Sequence, residues 1–335
     1  MYIEPHNHTI AIISGGICMT TEARSHTYKR VSINLLKHIM KANFFLTVFI
    51  LSIVISSCKE HEDVRPYAPI EMYPDDTLLS SAVPNIKAMI VIAHDDDMSS
   101  MVGTISQLNK KGWEIIALSF PQTAERNEAH IKACVPILDS VRFFSFTHEQ
   151  FRNDLDSNET LYAAIPREKF NEVFNKSIVQ TELLKHIREF NPDIIFTLDN
   201  EIGAYGHPEH VLISSMVLDL ALADSIKPSF IYQNVYTPHM AKTIMSRQSK
   251  KMKEWGLDGN GWENAKAIYK VKGMPEPTTQ INILSEAEIK MGYLKSYNER
   301  ERKTIGFYIP GFEDYSAQEY FSIFDREFFK VIKIN

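Results

Sequence analysis

The 335-residue sequence predicts an α/β fold: a Rossmann-like three-layer domain built on a mainly parallel sheet. Two observations carry this. Short apolar runs at 86–93, 113–120, 141–146, 193–198 and 230–236 alternate with segments of helical spacing, the pattern of buried parallel strands with crossover helices. In addition, two of these runs end in polar segments bearing histidine and carboxylate, and open α/β sheets hold ligands at the carboxyl ends of their strands.

The first run, IKAMIVIA at 86–93, leads straight into His94, Asp95, Asp96 and Asp97. Ser99 and Ser100 are placed to cap a helix in which Met101, Ile105 and Leu108 recur at helical spacing until Gly112. Three adjacent aspartates repel one another, and a bound cation is the simplest relief. A histidine and an aspartate are ligands that zinc accepts, and a further aspartate remains to act as a base. Read on its own, the stretch also fits a solvated acidic turn.

The run at 113–120 is the second strand. A helix is expected over 125–138, with Cys134 in the core, and a third strand over 141–146. Arg126 reads as a surface salt-bridge partner, with a sugar hydroxyl or phosphate as its alternative partner. His130, His148 and His186 read as surface or helix residues. The polar stretch 151–176, with scattered aromatics, reads as a loop or lid, and a helix over 181–190 leads to the strand at 193–198.

After that strand come Gly203, Tyr205, Gly206 and then His207-Pro208-Glu209-His210. Pro208 suits the first turn of a helix, which VLISSMVLDLALA continues, so both histidines sit at a helix start. Beyond the strand at 230–236, His239 is placed to face a pocket. Residues 246–273 read as an excursion whose Trp255 or Trp262 stacks on a ligand or packs. Ser285 and Glu288 resemble a capping box for a helix over 285–299, and a last helix around Phe321 and Phe324 packs on the sheet.

Together these motifs resemble the PIG-L/LmbE-like zinc-dependent N-acetylglucosaminyl deacetylases. That family pairs an A-H-P-D-D-E loop after its first strand with a later H-P-D-H segment. Here they stand as Ala93-His94-Asp95-Asp96-Asp97-Met98 and His207-Pro208-Glu209-His210. The likeness extends through Gly103-Thr104-Ile105, Lys111-Gly112 and Asn191-Pro192-Asp193, and more weakly through Lys290 and Tyr297-Asn298, over about residues 84–300.

The resemblance implies that His94, Asp97 and His210 hold the metal, zinc or ferrous iron, and that Asp96 is the general base. It makes His207 the group that polarises the carbonyl or protonates the leaving amine. It also brings Tyr205 to the oxyanion, while Glu209, in place of the family's aspartate, orients His207. Asp95 stands where the family has proline and Met98 where it has glutamate. The implied substrate is an N-acetylated amino sugar. Two other readings remain: a non-catalytic glycan-binding protein on the same fold, and a metal-dependent amidase acting on a different amide.

Four segments are expected: 1–39 untranslated or unstructured, 40–58 a lipoprotein signal peptide, 59–83 a polar tether, and 84–335 the catalytic domain. Residues 40–58 have a basic start at Lys41, an apolar run and small residues before Cys58, the layout of an export signal. Ile55-Ser56-Ser57-Cys58 resembles a bacterial lipobox, which implies a lipid on Cys58 and a membrane-anchored, exported protein facing the periplasm or the cell surface. With Cys58 acylated and Cys18 removed, Cys134 has no disulfide partner. A net charge of −6 without a long Lys/Arg patch excludes general nucleic-acid binding. Oligomeric state is not readable from the sequence.

Overall fold

The computed structural model describes residues 61–80, 85–155 and 162–334, all within the unit His61–Asn335. The expected untranslated segment, the signal peptide, Cys18 and Cys58 lie outside the described residues.

Seven strands form one sheet among the described residues: β1 (Lys87–Val91), β2 (Glu114–Ser119), β3 (Ser140–Phe143), β4 (Ile194–Leu198), β5 (Phe230–Asn234), β6 (Thr279–Asn282) and β7 (Arg326–Lys333). Their order is β3-β2-β1-β4-β5-β7-β6. The first five are mutually parallel, while β7 runs antiparallel to both β5 and β6. The fold is α/β, with a mostly parallel sheet between helical layers.

Side chains of β1 alternate between two cores. Ala88, Ile90 and Ile92 join one, and Met89, Val91 and Ala93 join the other. The longer helices divide accordingly. Helices α1 (Val102–Lys110), α2 (Ala124–Cys134), α5 (Pro238–Glu254), α7 (Ala287–Lys295), α8 (Glu299–Tyr308) and α9 (Ala317–Ile323) contribute to the first core. Helices α3 (Lys176–Phe190), α4 (Pro208–Leu222) and α6 (Gly261–Tyr269) contribute to the second, with Ala265 and Tyr269 of α6 filling its edge. This double coverage is why the strand sequences read as near-continuous apolar runs.

The chain reverses its order of strand addition at β1: β2 and β3 lie to one side, β4 and β5 to the other. The crevice beyond the carboxyl ends of β1 and β4 is therefore the switch point, where such sheets bind ligands.

Several local expectations are corrected. Ser99 and Ser100 do not cap α1: its N-cap is Met101, with no side-chain cap, and Ser100 Oγ donates instead to the Asp97 carbonyl at 2.9 Å. The start of α1 is finished from far away. The Glu327 carboxylate on β7 accepts from the Gly103 and Thr104 amides at 2.9 and 2.8 Å, and is paired with buried Lys290 at 2.5 Å. A side chain at Gly103 would meet Ile283 at 2.6 Å, so only glycine lets the helix approach this closely.

Ser285 does not cap either. A 3-10 turn at Leu284–Glu286 precedes α7, and Asn298, whose side chain accepts from the Glu301 amide at 3.0 Å, starts a separate helix, α8. The 246–273 excursion is mostly helical, formed by the end of α5 and by α6. Trp255 is exposed with its edge on Phe307, and Trp262 packs half-buried under Lys266. After α9 the chain continues into β7.

Residues 61–80, expected as part of a tether, lie against the domain. Val64 is fully buried, Glu62 pairs with Arg247 at 2.5 Å, and Tyr232 donates to Asp76 at 3.0 Å. Two apolar anchors, Val64 and Leu79, and these long-range polar contacts outweigh the segment's polar composition. Among the described residues no helix is long and apolar enough to cross a membrane.

Candidate active site

His94 leaves the end of β1 in extended conformation, and Asp95–Ser100 then form two turns of 3-10 helix. The Asp97 carboxylate turns back to accept from the His94 amide at 2.8 Å, which closes the loop on itself. On the neighbouring strand, fully buried Asp199 follows β4. Its carboxylate accepts from the amides of Glu201, Ile202, Gly203 and Ala204 at 2.7–3.2 Å. This nest of donors holds a single turn at Gly203–Gly206 in which Ala204 takes φ 60°, ψ −84°, a conformation costly for a residue with a Cβ. The turn delivers Tyr205, and His207 then becomes the N-cap of α4. The His207 Nδ1 accepts from the Glu209 amide at 3.2 Å, and Pro208 sets the first helical residue.

The two loops meet. His94 Nδ1 lies 2.9 Å from His210 Nε2, His210 Nε2 lies 3.1 Å from Asp97 Oδ1, and His94 Nδ1 lies 3.7 Å from Asp97 Oδ2. Each imidazole is fixed from behind. His210 Nδ1 donates to the Gly203 carbonyl at 3.1 Å, and His94 Nε2 donates to Glu209 Oε2 at 3.0 Å. Those partners leave His210 Nε2 as an acceptor and turn His94 Nδ1 toward the same point, the arrangement seen around metal-ligating histidines. Two nitrogens and a carboxylate oxygen converging in this way suit a divalent cation. His94, His207 and His210 also offer ligand atoms within 4.8 Å of one another, as do His94, Asp96 and Asp97.

Electrostatics express the crowding. Burial, reinforced by Asp96 and Asp95 against the attraction of His94, pushes Asp97 up to about 7. Burial and Asp96 likewise push Asp95 up to about 6, against Arg126. For His94 burial opposes the charged form, but Glu209 and Asp97 outweigh it and raise the imidazole to about 9. Burial and the nearby His94 push His207 down to about 3, so it is neutral. Since its Nδ1 is an acceptor, the His207 proton sits on Nε2.

Every residue expected at the site is therefore in one cluster, with two corrections. Glu209 does not orient His207 through its side chain. It holds His94, and its other oxygen receives Arg152 Nη1 at 2.6 Å and His148 Nε2 at 3.3 Å. Arg126 is no surface salt bridge: it is largely buried, with Nε 2.7 Å from Asp95, Nη2 2.6 Å from Asp96 and Nη1 3.1 Å from Glu301. His148 is exposed at the start of a short helix and His130 is a residue of α2, as the surface-or-helix reading has it, but His130 is not at the surface. His130 is fully buried, 3.1 Å from the Tyr297 hydroxyl. That hydroxyl meets Tyr293, whose own hydroxyl donates to the Asp95 carbonyl at 2.8 Å. His239 turns away from the pocket, to Pro66 O and Glu71. Arg152 had no signal in the sequence beyond its polar surroundings.

Fold and site define a doubly wound α/β protein with a histidine–carboxylate centre at its switch point. The PIG-L family profile, described as GlcNAc-PI de-N-acetylase, matches residues 89–221: the chain carries a PIG-L family domain. No curated protein matches the chain. Among solved structures it is similar to 4-carboxy-2-hydroxymuconate hydratase from Pseudomonas putida KT2440, with 14% identity, 74% of this chain and 96% of that one covered, and a TM-score of 0.43. It is also similar to N,N'-diacetylchitobiose deacetylase from Pyrococcus horikoshii, with 14% identity, 76% and 88% covered, and a TM-score of 0.39. A deacetylase–teicoplanin complex gives 13%, 74% and 99%, and 0.44.

Proposed function

We propose that the protein is a metal-dependent hydrolase that removes the N-acetyl group from an N-acetylglucosamine-type amino sugar or glycoconjugate. The observation that supports this most is the convergence of His94 Nδ1, His210 Nε2 and Asp97 Oδ1 beside Asp96, within a PIG-L domain. His94, Asp97 and His210 would hold zinc or ferrous iron, which when bound lowers the pKa of water toward neutrality and polarises a carbonyl. Asp96, with Oδ1 engaged by Arg126, takes the proton of the attacking water. His207, carrying its proton on Nε2, donates to the developing oxyanion, and Tyr205, edge-on to His210 at 5.1 Å, borders the same space. Water oxygen bonds to the acyl carbon, the C–N bond breaks, and acetate and a free amine leave. The test is acetate release from N-acetylated amino sugars by the purified protein before and after chelation and metal return. Bound metal without release from any of them refutes the reading and favours a glycan-binding role.

From the sequence at 40–58 we further propose an exported lipoprotein anchored through Cys58. Fatty-acid labelling that survives Cys58→Ala refutes it.

A further inference from the structure

A cleft of about 560 Å³, counted to its open mouth, is lined by Asp96 and Asp97 and by none of the site's histidines. Beside the two aspartates its wall is largely apolar or aromatic: Leu198, Val235, Met245 and Ile305 are nearly fully buried, and Met274 is half-buried.

Several of the polar atoms that line it are already engaged. The Tyr236 hydroxyl donates to the Tyr308 carbonyl at 2.9 Å, and the Tyr308 hydroxyl receives Gln248 at 2.9 Å. Asn234 Nδ2 donates to Ser100 and Phe328 carbonyls at 3.2 and 3.3 Å, and Ser100 Oγ donates to the Asp97 carbonyl. The Tyr205 ring is stacked on Tyr308 at 4.1 Å, so those two faces cover each other and offer no open platform for a sugar. A hydroxylated ring placed here would lose hydrogen bonds to water and regain few, whereas methylene groups would gain with each carbon buried. Methionine walls also adapt to chains of different shape. His148, half-exposed beside Glu209, is a polar group of the site that does not line the cleft.

We infer that this cleft receives the acyl group of the amide and that the substrate class extends from N-acetyl to N-acyl amino sugars with longer chains, the inference resting on the hydrolase reading above. The sugar lies on the His148 side and the chain runs past Asp97 toward Met274. Hydrolysis then releases a short fatty acid and the amine, with water supplying the hydroxyl of the acid and a proton to the nitrogen.

The test uses glucosamine acylated with acetyl, butanoyl and hexanoyl groups, and calorimetry with acetamide and hexanamide as neutral probes that need no turnover. The expected kcat/KM rises by about fourfold per added methylene, and hexanamide binds more tightly than acetamide by a similar gradient. Met274→Trp, at the half-buried wall, is expected to lower the hexanoyl-to-acetyl ratio and the hexanamide-to-acetamide affinity ratio together. Cleavage of the acetyl compound with a flat or falling chain-length profile overturns the inference and leaves the hydrolase reading intact. Hexanamide binding that Met274→Trp weakens, with no amide cleaved, supports the cleft as an acyl site and overturns the hydrolase reading. Absence of both overturns both.

Discussion

Arg126 Nη2 stands 2.6 Å from Asp96 Oδ1, while its Nε stands 2.7 Å from Asp95. One guanidinium thus ties together the two aspartates that are not expected to hold metal, and the third, Asp97, faces the histidines. Removing that clamp frees Asp96 to swing. Arg126→Ala is expected to keep its metal but lose kcat by roughly tenfold or more, the scale of a misplaced reacting group, with partial recovery in Arg126→Lys. Elemental analysis and kcat measured together decide it: loss of metal in step with loss of rate would mean that Arg126 supports the ligands instead.

The three aspartates should fail differently. Asp96→Asn keeps shape and metal but removes the base, so turnover is expected to fall by roughly 10²-fold or more. Asp97→Asn and His210→Ala are expected to lose metal and turnover together, because two protein ligands remain of the usual three. Asp95→Asn is expected to keep metal and most activity. Near-full activity in Asp96→Asn, or full metal occupancy in His210→Ala, contradicts the assignment.

Glu209 stands where the resemblance has aspartate, and its carboxylate accepts from His94 Nε2 at 3.0 Å. Glu209→Gln keeps the size and removes the charge. A metal affinity lower by about 10- to 100-fold is expected, as for other carboxylates behind ligating histidines. Equilibrium dialysis with the variant measures this, and an unchanged affinity would show that His94 is held in place without Glu209.

Acid sensitivity has a specific source in His130. Burial holds its pKa down at about 4, against about 6.5 in an unfolded chain. Above the unfolded value neither state carries the proton and the contribution is flat. As pH falls from about 6.5 to about 4 the unfolded chain gains a proton that the folded one refuses, so stability drops by about 1.4 kcal/mol per pH unit, roughly 3 kcal/mol in all. Urea unfolding of wild type and His130→Gln at about pH 7 and about pH 5 tests this. The variant should show the smaller difference between the two, and equal differences would place the acid sensitivity elsewhere.

The buried ion pair of Glu327 with Lys290 gives a packing test. Lys290→Met leaves a buried carboxylate with two amide donors and no counter-ion. A stability loss of about 3 kcal/mol is expected, the usual result of breaking one side of a buried pair. Chemical denaturation reads it out. A variant as stable as wild type would mean that the two amides alone satisfy Glu327.

The parallel half of the sheet and the site loops were legible in the sequence because they are local: β1 is a continuous apolar run, and His94–Asp97 and His207–His210 are each contiguous. What escaped was long-range. Arg126 reaches Glu301 and His130 reaches Tyr297 across 167 positions, and no local periodicity announces that an arginine or a histidine will be buried by a partner so far away. The antiparallel edge was missed for a related reason. Strand β6 is only four residues, TQIN, and β7 begins three residues after α9 ends, so the two carried no pattern separable from the aromatic tail. The 61–80 stretch looked like a spacer because its anchors, Val64 and Glu62, are single residues in polar company.

Glu327 reaches back 224 positions to complete the first turn of α1, directly behind the acidic loop. A ribosome delivers residue 103 long before residue 327, so for about a third of its synthesis, from His210 to Glu327, the polypeptide holds both of its histidine–carboxylate loops while the helix that seats one of them still lacks its acceptor. Maturation of the centre is thereby tied to completion of the chain: a stalled or prematurely terminated product would contain all three expected ligands and still lack the brace that fixes their geometry. Quality control of the fold and licensing of the chemistry become the same late event, the docking of β7.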